Sequence, residues 1–485
     1  MFPYIETTKE VLIPENPLER VIGQDKAIER AKLAVKQRRH LLLVGPPGIG
    51  KSMLAKSMAY HLLKPREQIS ICHNPKNPNR PIVEIVTADE INNEKKAIEI
   101  AQGRIADPVD VPTYVAEELG FRCSNCGFLS NFSVICQRCG ANKQSKIKSR
   151  RLSLFGDVIT EVFEIGHRDL ESEVKTTYID KGGVEKTIIY QRIGNNKIRV
   201  LNEDSINAAR ELKDKGLRNI IVPLKRNNFI HATGASETEL LGDVRHDPYG
   251  SHPEIGTPAY LRVVPGAIHE AHEGILFIDE LPQLENLQNF ILTAMQEKKF
   301  SIVGRNPQSA GASVKVNNVP CDFLFVGACN IREVSTILPP LRSRILGNGY
   351  EVLLNTVMPD TEENRKKLVQ FVAQEIQLDG RIPHATKDAV IEIINEAEKR
   401  ARIIDDARNS LTLRLRDIGG ILRMGGDFAV FEGAEFIEKK HIKKSINESK
   451  PIEYQLQERY GSLWKGLEKD SGTNLNQDRI DGSYL

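Results

Sequence analysis

LLLVGPPGIGKSM, residues 41–53, decides how the rest of this chain must be arranged. An apolar strand leads into Gly45-Pro46-Pro47-Gly48-Ile49-Gly50-Lys51-Ser52, and a helical run starting at Met53, MLAKSMAYHLL, leaves it. Glycines at this spacing let successive backbone N–H groups turn toward a polyphosphate, Lys51 reaches the β- and γ-phosphates, and the Ser52 hydroxyl suits Mg²⁺. The helix N-terminus adds the positive end of its dipole. The strand before and the helix after separate this stretch from a chance Gly-rich turn, so residues 45–53 are expected to bind a nucleotide. An α/β fold with a parallel sheet follows, because a P-loop sits at the carboxyl end of such a strand.

Working outward, residues 18–40 read as a short loop and an amphipathic helix with Ala27, Ile28, Ala31, Ala34 and Val35 on its apolar side. Val21, Ile22, Gly23 and Gln24 just before it either wall an adenine pocket or make a plain core contact. After the P-loop helix, PIVEIVT at 81–87 reads as a strand. The next strand with phosphate chemistry, GILFIDE, ends at Asp279-Glu280, more than two hundred residues after Lys51. That gap is far longer than one crossover helix requires and predicts an insertion.

The insertion is expected over residues 103–228. Its first part carries Cys123-x-x-Cys126 and Cys136-x-x-Cys139, each pair followed directly by glycine (Gly127, Gly140). Two such pairs supply four thiolates for one tetrahedral Zn²⁺ and predict a zinc ribbon over 121–141. Cys72, Cys321 and Cys329 have no such spacing and read as small buried apolar residues. The second part alternates in strand fashion (DVITEVFEI, KTTYID, EKTIIYQRI, NKIRVL), then continues as a helix and a short strand, which predicts a small α+β element.

Asp279 and Glu280 close an apolar strand, which places their carboxylates beside the P-loop. Asp279 suits Mg²⁺ held through water, and Glu280 suits orientation of an attacking water. Asn330 ends the next apolar strand, FLFVGACN, where it contacts the γ-phosphate or that water, or else starts a turn. PPLRSRI at 339–345 offers arginines of the kind that stabilise transition-state charge. From Asp360 onward the periodicity is helical, with Asp360 and Glu363 as a capping-box-like start and Leu368, Val372 and Ile376 on one face. Residues 229–358 thus read as a second part of the α/β core after 1–102, residues 359–468 as an all-α lid, and 469–485 as a disordered tail.

The composition is that of a water-soluble globular chain: of 485 residues, 40% are hydrophobic and 27% charged. The balance of 67 basic against 65 acidic residues leaves +2, which excludes a global field for nucleic acid. No apolar run is long enough to span a membrane, and the N-terminus has no signal-peptide core. A cytoplasmic, reducing setting is expected.

The P-loop, Asp279-Glu280, Asn330, the Arg342/Arg344 pair and the helical lid together resemble the AAA+ ATPase family. ERVIGQDKAI, RRHLLLVGPPGIGKS, HATGASETELLGDVRHDPYG, PGAIHEAHEGILFIDE, LTAMQEKKF, PPLRSRI and LTLRLRDIGGILR narrow the resemblance to the ATPase part of archaeal-type Lon protease. The resemblance implies ATP and Mg²⁺ as ligands, protein substrates and a homo-oligomeric ring. It also implies Arg344 as an arginine finger acting on the neighbouring subunit and Arg414 as the lid arginine that senses nucleotide, with Arg416 as its rival. Tyr249 is the candidate for gripping polypeptide in the ring's pore, Tyr260 the second, and a locally packed turn the alternative for Tyr249. Two departures are visible. Cysteine pairs and polar strands stand where that family typically carries membrane spans, and after the lid only a short tail follows, with no room for that family's peptidase, which is either lost or supplied by a separate chain. A nucleic-acid motor is the alternative class, suggested by the zinc ribbon and the basic run KQSKIKSRR at 143–151; a scaffold with incidental ATP binding is the third.

Overall fold

A computed structural model describes residues 6–141, 143, 173–179, 185–214, 218–249, 256–305 and 314–449. The chain divides into two compact units. One comprises Met1–Pro65, Ile221–Thr257 and Arg262–Leu485, the other Arg66–Ile220 with Pro258–Leu261.

In the first unit, five parallel strands form a sheet in the order Gly349–Leu353, His40–Val44, Leu324–Cys329, Ile275–Ile278 and Phe229–His231. The strands His40–Val44, Ile275–Ile278 and Leu324–Cys329 are buried at every residue, which explains their unbroken apolar runs. Helix Asp25–Gln37 covers one face through Ala27, Ala31, Ala34 and Val35, the apolar side legible in the sequence. It stops at Arg38, whose left-handed φ of 48° lets Arg39 N–H reach back to Ala34 O at 2.9 Å. Burial of His40 is satisfied because its Nδ1 accepts from Phe325 N–H at 3.2 Å.

The helical lid follows the sheet in the same unit. Helices Glu362–Asp379, Lys387–Ile404, Leu415–Phe431 and Lys439–Glu448 share a core in which Leu368, Val372 and Ile376 are buried together. The first helix is capped by Thr361, whose hydroxyl accepts from Asn364 N–H at 3.2 Å, and not by Asp360. Asp360 is occupied by Arg365, with Nε and Nη2 on its two oxygens at 2.5 and 2.6 Å. Such bidentate pairing outcompetes a single cap bond. The helix expected over 441–467 is seen through Glu448; its remainder and the tail expected at 469–485 lie outside the described residues.

In the second unit the strand read at 81–87, Ile82–Thr87, pairs antiparallel with Glu67–Cys72. That unit therefore begins at Arg66, earlier than the insertion expected from Gly103: a strand next to a P-loop helix in sequence does not have to join the P-loop sheet. A second antiparallel sheet runs Arg104–Ala106, Lys197–Leu201, Glu185–Ile193, Glu173–Ile179, and the strand expected at 157–165 lies outside the described residues. Phe132 ties the cysteine ribbon to the turn of this sheet: its N–H donates to Asn195 O at 2.8 Å and Arg192 stacks over its ring at 3.4 Å. Of the basic run at 143–151 only Lys143 is described, and it is buried, donating from Nζ to Ser130 Oγ at 2.7 Å. No helix among the described residues is long and apolar enough to cross a membrane.

Candidate functional site

The parallel register aligns Val44 with Cys329, so the P-loop and Asn330 leave adjacent strands at the same edge. Gly48 and Gly50 have φ of +83° and +93°, values that only glycine adopts without strain, and they turn the loop into the helix Lys51–Met58. Lys51 is 7% exposed. Its Nζ donates to Gly45 O at 2.6 Å, Pro46 O at 3.3 Å and Asn330 Oδ1 at 3.4 Å. Burial is the main cause that draws its ammonium pKa below the ordinary lysine value, and the Asp279 charge opposes that shift.

Ser52 Oγ donates to Asp279 Oδ2 at 3.0 Å, joining the helix to the end of the Ile275–Ile278 strand. Two hard oxygen donors at this separation suit a magnesium ion that keeps most of its waters. Asp279 is held from behind: its N–H donates to Thr233 Oγ1 at 2.7 Å, and its Oδ1 accepts from Glu280 N–H at 3.0 Å. Glu280 has a left-handed φ of 52°, so the chain turns sharply under an exposed carboxylate. Thr233 was not singled out by sequence reasoning; a polar residue just after a short apolar strand, FIHAT, was its available signal.

Val21 and Ile22 are both buried and face different cores. Val21 packs with Leu41, Leu43 and Ile49 behind the P-loop, and Ile22 with Leu413 and Met358 in the lid. Gly23 between lid and sheet has φ of +69°, and a Cβ there would lie 2.5 Å from Leu413 Cδ2. Gln24, read in the sequence as part of an adenine wall, grips the lid linker by donating to Asn355 O at 2.8 Å and accepting from Asn355 N–H at 2.9 Å.

The two lid arginines make different contacts. Arg414 Nη2 donates to Asp405 Oδ1 at 3.0 Å. Arg416 N–H donates to Gly48 O at 3.2 Å, and its positive charge adds to the depression of the Lys51 pKa. Of the other pair, Arg342 binds Glu351 at 2.6 and 3.3 Å, whereas Arg344 is exposed on the helix Pro339–Gly347. Tyr249 is 57% exposed, while Tyr260 is 4% exposed with its ring 5.8 Å from that of His73, so burial removes Tyr260 as a gripping residue.

The four ribbon sulfurs all lie within 4.8 Å of one another, with Cys123–Cys139 at 3.6 Å and Cys126–Cys136 at 3.7 Å. A tetrahedral ion with metal–sulfur bonds of about 2.3 Å sets its thiolates about 3.8 Å apart, so the cluster fits Zn²⁺. Disulfides, at about 2.0 Å, are excluded. Each pair forms the same knuckle: Gly127 N–H donates to Cys123 O and Gly140 N–H to Cys136 O, both at 2.9 Å, with φ of +69° and +70° at the two glycines. Backbone N–H groups, that of Cys139 first, pull the Cys136 thiol down to about 6, toward the thiolate a metal needs. The remaining cysteines differ. Burial pushes Cys321 up to about 12 and Cys329 up to about 11, while Cys72 is only half-buried and donates to Glu84 at 3.3 Å.

A family model described as "Magnesium chelatase, subunit ChlI" matches residues 17–75, and one described as "Sigma-54 interaction domain" matches residues 257–318. A solved Thermotoga maritima RuvB mutant aligns with a TM-score of 0.34 at 12% identity, over 90% of this chain and 73% of that one. An archaeal Lon protease of Thermococcus kodakarensis is 39% identical over 94% of this chain, which spans 62% of that protein's length. A Lon protease homolog of Thermoplasma acidophilum is 52% identical over 98% of this chain and 97% of its own. With a further Lon protease homolog, from Methanothermobacter thermautotrophicus, 55% identical over 99% of this chain and 98% of that one, the AAA+ P-loop fold described above belongs to the family of Lon protease homologs.

Proposed function

We propose that this protein is a ring-forming, ATP-hydrolysing motor that grips and unfolds polypeptides for a peptidase carried on a separate chain. The observation that carries the ATPase reading is the 3.0 Å hydrogen bond from Ser52 to Asp279 beside the buried Lys51, which assembles a phosphate cradle and a cation-holding pair from strands far apart in sequence. Lys51 holds the β- and γ-phosphates, and Asn330, already within reach of Lys51, addresses the γ-phosphate. Ser52 and Asp279 hold Mg²⁺, which when bound offsets charge on the phosphate oxygens. Glu280 orients water for attack on the γ-phosphorus and takes its proton as the bond to the β–γ bridging oxygen breaks, releasing ADP and phosphate. Val21 and Ile22 border the adenine, and Arg416 rather than Arg414 reports the nucleotide to the lid.

Arg344, exposed and without an acid partner among the described residues such as Arg342 has in Glu351, acts on the site of the neighbouring subunit. Tyr249 grips substrate, because an aromatic face packs on extended polypeptide without matched hydrogen bonds. The nucleic-acid alternative has less support: of its basic run the described Lys143 is buried. Mixing inactive Arg344→Ala subunits with inactive Glu280→Gln subunits is expected to restore ATP turnover at interfaces that combine an intact Glu280 with an intact Arg344. Turnover that depends on neither mixing nor protein concentration would overturn the ring.

A further inference from the structure

Two chain segments leave the Asp279–Glu280 turn region and meet again at one arginine. The first runs from Glu280 through the turn Leu281–Leu287 and the helix Gln288–Glu297 into the strand Lys299–Val303. The second begins at Thr233, bonded to Asp279 N–H, and passes through helix Glu237–Leu241 to the strand Asp243–Val244, from which the Tyr249 turn departs. Arg305, just past the first segment, fastens them. Its backbone N–H donates to Asp243 Oδ1 at 2.8 Å, its Nε–H donates to Gly242 O at 3.2 Å, and its Nη1 pairs with the Glu237 carboxylate. Asp243 Oδ1 also accepts from Val244 N–H at 2.8 Å, which fixes the carboxylate.

A second fastening lies on the same strand. His269, fully buried, accepts from Gly266 N–H at Nδ1 (3.3 Å), so its proton is on Nε2 and is donated to Phe300 O at 3.1 Å. The ribbon these ties grip cannot slide: a Cβ on Gly266 would lie 2.2 Å from Gly242 N, and one on Gly242 would lie 2.7 Å from Val264 O. At its far end Asp247 accepts from Tyr249 N–H at 2.9 Å and from Thr257 N–H at 2.6 Å, clamping the foot of the turn.

We propose that Arg305 is a positioning residue, a strut that carries movement of the Glu280 segment to Tyr249. This rests on the reading of Tyr249 as the residue that grips polypeptide. A variant at 305 keeps the main-chain bond to Asp243 and the His269 tie, but without the guanidinium nothing from this segment holds Gly242 O and Glu237. The guanidinium fork can bind a carboxylate and a main-chain carbonyl together in one plane; a lysine keeps the charge pair with Glu237 and loses that geometry. Loss of the strut therefore leaves Tyr249 able to bind substrate while weakening the transmission between binding and ATP turnover.

The test is ATP turnover against casein concentration for wild type, Arg305→Ala, Arg305→Lys and Tyr249→Ala, with thermal midpoints alongside. Arg305→Ala is expected to lose about five-fold or more of the casein-stimulated kcat, the scale of a local coupling defect, with its KM for casein within about two-fold of wild type. Tyr249→Ala is expected to raise that KM instead, and Arg305→Lys to recover part of the stimulation. If Arg305→Ala does not fold, Arg305→Lys carries the same kcat comparison. Full stimulation in both Arg305 variants, or a fall in basal turnover and thermal midpoint together, overturns the strut alone. Wild type that casein does not stimulate overturns the polypeptide-gripping reading, and the strut with it.

Discussion

Arg414 and Arg416 stand two residues apart at the start of one helix, and their removal is expected to have opposite consequences. Arg414 donates to Asp405 at 3.0 Å; the aspartate side chain is 9% exposed and the arginine side chain 23%. Asp405 Oδ2 and Arg414 Nε are buried without a hydrogen-bond partner among the described residues, so the bond from Nη2 to Oδ1 is what offsets the desolvation of this pair. Removing one member of a fully buried pair costs about 3–5 kcal/mol. Partial exposure of Arg414 admits solvent screening and lowers the expectation for Arg414→Ala to roughly 1–3 kcal/mol. For a unit of this size each kcal/mol moves the melting midpoint by about 2–4 °C, so a fall of several degrees is expected. Arg416 is exposed and bonds the P-loop only through its backbone, which alanine retains. Arg416→Ala should therefore leave the midpoint within about 1 °C, as surface substitutions do, while weakening ATP binding about ten-fold through the lost positive charge. Thermal unfolding without nucleotide and titration with a fluorescent ATP analogue measure the two effects separately. The placement is refuted if Arg414→Ala melts like wild type and loses ATP binding while Arg416→Ala does neither.

Two further expectations follow from buried or clustered groups. Elemental analysis should find one zinc per chain, lost in Cys136→Ser, since three thiolates no longer close the site; a metal-free wild type purified without chelator would contradict the ribbon. Acid should destabilise the fold between pH 6.5 and 4. Burial lowers His269 to about 4 in the folded state from 6.5 unfolded, so the unfolded chain binds a proton first and stability falls as pH drops through this window. The contribution at stake is on the order of 3 kcal/mol, and His40, also lowered to about 4, adds in the same direction. Urea midpoints that are equal at pH 7.5 and 4.5 would refute this.

The P-loop, the acidic strand end and the cysteine pairs were legible because each depends on local spacing: the glycines at 48 and 50, the run ILFIDE, and Cys-x-x-Cys followed by glycine all carry their geometry within a few residues. What escaped depends on contacts between distant segments. The strand Ile82–Thr87 reads as well for one sheet as for another, and only its pairing with Glu67–Cys72 assigns it. Thr233 supports Asp279 from 46 positions away, and the partner of Gln24, a residue read as part of an adenine wall, is Asn355, 331 positions on. The same cause explains the lid arginines. LTLRLR gives no local reason to separate the two, because what distinguishes them is a contact elsewhere in the chain, Asp405 for the Arg414 side chain and Gly48 O for the Arg416 N–H. Asp360 shows competition within a single turn: it has the chemistry of a cap, but Arg365 claims both oxygens and leaves the cap to Thr361.

If Lys51, Asp279 and Glu280 form one ATP-hydrolysing site with divided labour, ATP affinity and turnover measured side by side in Lys51→Ala and Glu280→Gln will fail in different ways. Lys51→Ala is expected to lose binding, whereas Glu280→Gln binds ATP as wild type does and turns over about 10²–10⁴-fold more slowly, the usual scale for loss of a positioned general base. Wild-type turnover surviving in Glu280→Gln, or undiminished ATP binding in Lys51→Ala, would contradict it.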